Sequence, residues 1–167
     1  MKNVFRLIFL ALFLSCDDGD IQIETVDFDS INTVESCKAA SASTTNLLFK
    51  INVDEALILE LPAGLLKNEV TTEVIKSAIS ATTKLTYRVF TDKVSKNYFC
   101  DEVPPLTPTV SEQVIAADGE ILITTATKDS ITFEHIIRLN EISFISEDGS
   151  RITDLRISEF GTVTTKL

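Results

Sequence analysis

Tryptophan is absent, methionine occurs only as Met1, and His135 is the one histidine. Each shortage removes a class of chemistry. A single histidine cannot build a multi-histidine metal centre. The three cysteines, Cys16, Cys37 and Cys100, contain no Cys-x-x-Cys pair, so a zinc site has no frame. With no tryptophan and only Tyr87 and Tyr98 as tyrosines, a stacking platform for sugars is hard to assemble. The five glycines form neither a phosphate-cradling loop nor a Gly-x-Ser-x-Gly elbow. No apolar stretch approaches the roughly 20 residues that a membrane-crossing helix needs. Basic residues are outnumbered, 15 against 25 acidic, for a formal charge of −10. Such a chain repels nucleic acid, and no nucleic-acid partner is expected. No cofactor or metal is expected either.

What the chain does have is concentrated at its start. Lys2 and Arg6 precede an apolar run, Leu7 to Leu14, which small Ser15 closes. Cys16 follows, then Asp17, Asp18 and Asp20. A short apolar run behind a basic start reads as an export signal over residues 1–15 rather than a transmembrane helix. A buried first helix and an ordinary cleaved secretory signal are the alternatives. The stretch Phe13-Leu14-Ser15-Cys16 resembles the signal peptides of bacterial lipoproteins, although Phe13 stands where leucine is usual. That resemblance implies diacylglycerol on the Cys16 thiol, cleavage after Ser15, and acylation (palmitate or similar) of the new amino group. The run Cys16-Asp17-Asp18-Gly19-Asp20 is similar to the acidic tract that directs Bacteroidota lipoproteins to the outer face of the outer membrane. The body beyond residue 20 resembles small surface lipoproteins of the same group in general layout. Two or more acyl chains hold a protein firmly to a bilayer without a second signal.

If Cys16 carries lipid, Cys37 and Cys100 remain. In an exported chain they most simply form one disulfide, with two buried thiols as the rival. A metal pair is disfavoured by the missing Cys-x-x-Cys and the lone histidine.

Thr, Ile and Val are abundant, as pleated sheets prefer, and period-2 alternation recurs along the chain. It predicts strands near Ile21–Thr25, Leu47–Val53, Leu57–Leu61, Glu73–Ile79 (with a short helix as the alternative), Lys84–Thr91 and Ser130–Leu139. Ile142–Ile145, Ile152–Phe160 and Thr162–Thr165 complete the set. Leu47, Phe49, Ile51 and Val53 are expected to share one inward face, as are Leu57, Leu59 and Leu61. Asp118-Gly119, between Val114–Ala117 and Glu120–Thr127, reads as a hairpin turn. A second turn is expected at Glu147–Ser150. Pro104, Pro105 and Pro108 mark a stiff connector, or a polyproline ligand. The fold expected for residues 21–167 is an all-β, single-domain sandwich, immunoglobulin-like by preference, with a lipocalin-like barrel as the alternative. Residues 16–20 would be the lipidated cysteine and its acidic tether.

His135 lies in phase with Phe133 and Ile137, so it should point inward. Asp17, Asp18, Asp20, Asp27 and Asp29 do not follow the spacing of a calcium loop, and the first three read as export or tether residues. No catalytic residue is nominated. The function expected is a binding or structural module with an unknown protein partner, not an enzyme, held at the bacterial outer membrane by its N-terminal lipid and facing outward. A hydrolase of envelope polymers and a ligand-carrying barrel are the alternatives.

Overall fold

The computed structural model describes residues 25–146, 149–152 and 154–167. The signal segment, Cys16, the acidic tether and residues 21–24 lie outside these, as do Glu147 and Asp148 of the last expected turn. Strands dominate: β1 (Thr25–Asp27), β2 (Glu35–Ser36), β3 (Asn46–Asn52), β4 (Glu55–Leu61), β5 (Ile75–Ala78), β6 (Lys84–Phe90), β7 (Val110–Thr127), β8 (Thr132–Ile145), β9 (Arg151–Ile152), β10 (Asp154–Arg156) and β11 (Glu159–Lys166). One short helix, α1 (Lys96–Cys100), interrupts them.

The main sheet runs in the order β11-β8-β7-β6-β4-β3-β2, with β5 added to β7 and β9 to β8. Its end strands do not meet, so the sheet stays open. The all-β sandwich is borne out and the closed barrel is not. Strand order is largely a meander in which successive strands pair, and β1 pairs separately with β10 in parallel.

Two long strands turn this one sheet into two layers. The first part of β7, Val110 to Ile115, pairs with β6, whereas Ala116 to Thr127 pairs with β8. The change of partner falls between Ile115 and Ala116, and just beyond it the register with β8 slips twice, once on each side of Asp118. The expected hairpin is therefore absent, and β7 continues through the dipeptide as a bulged bend. The reason is local and steric. Gly119 has φ +122, and an added Cβ would stand 2.7 Å from Ile142 Cδ1 and 2.8 Å from its Cα. Glycine serves here for close approach of the neighbouring strand, not for a tight reversal. The Asp118 carboxylate accepts the Gly119 N–H at 2.8 Å and fixes the bend.

Between the layers lies the larger core. It takes Leu57, Leu59 and Leu61 from β4, Leu85 and Tyr87 from β6, and Ile121 and Ile123 from β7. Ile137 and Phe144 of β8, Phe160 of β11, and Val26 and Phe28 around β1 complete its main contributors. The expected inward face of β4 is thus correct. That of β3 is not: Leu48 and Lys50 pair with Leu59 and Leu57 and share their face. Leu47, Phe49 and Ile51 point the other way, because a second cluster covers the outside of this half-sheet. That cluster contains Phe49, Ala56, Ile58, Phe90 and Val94, with Tyr98, Phe99 and Cys100 packed on it. The ambiguous segment resolves as strand β5. Among the described residues, no helix is long and apolar enough to cross a membrane.

Candidate functional site

A groove lies where β2 leaves the edge of β3. Only Glu35 and Ser36 pair with β3, opposite Phe49 and Leu48. The chain then loops outward and returns at Asn46. The Asn46 side chain holds that loop, donating to the carbonyls of Ser41 (2.8 Å) and Thr44 (3.0 Å) and accepting the Ser41 N–H at 2.8 Å. Ser36 Oγ donates to the Lys38 carbonyl at 2.7 Å, which sets the position of Lys38. Between loop and strand the groove has a volume of about 300 Å³. Leu47 and Phe99 give it an apolar lining, and Ser36, Lys38 and Thr45 border it.

Cys37, which lines the groove, is half of a disulfide. Cys37 and Cys100 are bonded, with Cα atoms 5.1 Å apart, as expected for the pair left after Cys16. The bond joins the residue after β2 to the last residue of α1. It is not a bridge between facing strands of the kind that marks antibody domains. Its effect is to hold α1 over the outer cluster, where Phe99 stacks on Phe49 at 4.4 Å between ring centroids. Phe90 meets Tyr98 edge-on at 4.8 Å.

A second polar group sits at one end of the inner core. Lys50 is only 2% exposed, and its ammonium donates to the Glu159 carbonyl at 3.0 Å. Burial pushes its pKa down, while the carboxylates of Asp29, Glu159 and Asp27 pull the other way. Asp29 accepts from Ser158 Oγ and the Glu159 N–H, both at 2.9 Å. Asp27 lies 3.8 Å from Arg156. Tyr87 donates its hydroxyl to Glu55 at 2.5 Å, and Asn52 reaches the same carboxylate at 3.3 Å. These contacts tie β1 and β11 to the β3–β4 hairpin. Asp27 and Asp29 are occupied as structural partners, and Asp17, Asp18 and Asp20 lie outside the described residues. Among the described residues, no three potential metal ligands gather in one place.

His135 is fully buried, as its phase predicted. Its Nδ1 is 2.8 Å from Thr125 Oγ1 and its Nε2 is 2.8 Å from Thr165 Oγ1. Thr165 in turn donates to Asn68. Burial lowers the imidazole pKa. With both ring nitrogens engaged and no exposed surface, the side chain is built into the core and cannot meet a substrate in this conformation.

Sequence reasoning found the cysteine pair and the buried histidine. It missed Lys50, because β3 was assigned the wrong inward face. It also missed the groove, whose walls come from an irregular loop and from α1. The only advance signal was the position of Cys37 inside that irregular stretch. Comparison with protein-family models, with curated proteins and with solved structures returns no match.

Proposed function

We propose that this chain is a lipid-anchored protein of the bacterial envelope whose sandwich body serves as a binding module at the outer membrane, facing outward. The observation that carries the reading is the apolar run Leu7–Leu14 closing on Ser15-Cys16, followed at once by acidic residues. The Cys37–Cys100 disulfide supports it, since such bonds persist in oxidising compartments outside the cytosol. The groove beside that disulfide offers the body a place to bind, in keeping with a module that works by contact. Lipid on Cys16 would supply the anchor, and Asp17 to Asp20 the reach.

The test is metabolic labelling of the expressed chain with radioactive palmitate in a bacterial host. Label is expected in the native chain and lost in Cys16→Ser, which should also leave the membrane fraction. A native product that retains residues 1–15, or carries an unmodified Cys16, overturns the anchor.

A further inference from the structure

The groove beside the disulfide has a lining whose charge contrasts with the rest of the chain. The protein carries 25 acidic residues, yet no carboxylate lines this groove. Two other cavities contain Glu141, or Glu69 and Glu73 beside Lys67. Here the one charged side chain is Lys38, which makes no ion pair among the described residues. The backbone of Lys38 is held by Ser36 Oγ on its carbonyl and by the Cys37 disulfide next to it. Beneath it lie Leu47, which is 39% exposed, and the ring of Phe99. An apolar floor bordered by one exposed lysine, with no carboxylate beside it, is an arrangement that can orient a small amphipathic anion. The volume, about 300 Å³, lies at the lower end of the range for small-molecule sites.

We propose that this groove binds a small carboxylate with an apolar or aromatic body. The body lies on Leu47 and Phe99, and the carboxylate meets the Lys38 ammonium and the Thr45 hydroxyl at the rim. The inference names a ligand class for the binding module and rests on that part of the functional reading, not on the lipid anchor.

The experiment is calorimetric titration of the full-length chain at low ionic strength with 3-phenylpropionate, and with 3-phenylpropanol as its uncharged match. Saturable one-to-one binding of the acid is expected, with the alcohol about fivefold weaker, the scale of one exposed ion pair. Lys38→Gln should bring the acid to the affinity of the alcohol, whereas Lys84→Gln, away from the groove, should change nothing. Leu47→Ala should weaken both probes together. Circular dichroism of each variant keeps a folding defect from passing as lost binding. Equal affinity for acid and alcohol, indifference to Lys38→Gln, or no saturable binding at millimolar probe overturns the proposal. The full-length Cys16→Ser chain should bind the acid like the native one, so failure of the groove and failure of the anchor are read separately.

Discussion

The two faces of the β3–β4–β6 half-sheet are both apolar, but they are closed by different means. On the inner face, Leu57, Leu59, Leu85 and Tyr87 are covered by another layer of the same sheet, through strands paired over most of their length. On the outer face, Phe49, Ile58 and Phe90 are covered by a five-residue helix that contributes no fully buried residue and has no side-chain N-cap. A helix of that length does not hold itself together in water. What keeps it in place is aromatic packing and one covalent bond to the end of β2. The inner layer is therefore secured by many weak contacts and the outer layer by a few, with the disulfide supplying the difference.

The strongest attempt to break this contrast is to remove the bond. Cys37→Ser/Cys100→Ser opens a link across 63 residues of sequence, for which the chain-entropy model gives an upper figure of about 4 kcal/mol. Amide exchange is the discriminating measurement. Residues 96–100 should lose protection, whereas Ile121, Ile123 and Ile137 keep theirs. Uniform loss across the molecule would mean that the two layers are a single cooperative unit. Leu59→Ala comes next. Leu59 is fully buried in the inner core, and the truncation should cost about 3 kcal/mol, read as a shift of the denaturation midpoint. That cost should be the same with or without the disulfide. Phe99→Ala should cost about 2 kcal/mol in the bonded protein, from partial burial and the lost stack on Phe49. In the variant without the disulfide its cost should fall towards zero, because the helix is already detached. Such non-additivity is the signature of a shared unit, and plain additivity would sink the idea that the disulfide holds this layer.

The same contrast explains what the sequence could disclose. Where one face is buried and the other wet, alternation reads correctly, as in β8 with His135, Ile137 and Leu139 inside and Arg138 outside. In β3 both faces carry apolar side chains because both are covered. The more hydrophobic series, Leu47-Phe49-Ile51, therefore reads as the inward one, which hides the burial of Lys50. Asp118-Gly119 was misread for another reason. A hairpin turn and a bulged bend both require a residue with positive φ, and only the approach of Ile142 from 23 residues away distinguishes them. Helix α1 was invisible because Lys96–Cys100 is too short for any period to register. The groove depends on where the loop after β2 departs from β3, which is a tertiary fact. His135 and the cysteine pair were legible because each rests on residue scarcity and simple phase.

Acid offers the gentlest probe, and it acts on the inner side alone. His135 faces the inner core between Thr125 and Thr165, and burial depresses its pKa below the ordinary 6.5. In the unfolded chain the imidazole takes a proton near 6.5, while in the folded chain it stays neutral to lower pH. Between those two values the unfolded state binds more protons, so stability rises with pH across the window. The contribution is complete above about 6.5 and is lost as pH falls toward the folded value, with a limiting slope of about 1.4 kcal/mol per pH unit. His135→Gln removes the titration and retains an amide that can reach the two threonine hydroxyls. Urea unfolding at intervals from about pH 7.5 down to 5 should show native stability declining more steeply than that of the variant, with the two curves parallel above 6.5. Protection of residues 96–100 relative to the inner strands should then increase as the pH falls, the reverse of the order produced by cutting the disulfide. Parallel curves throughout would mean that His135 is not held neutral by the core.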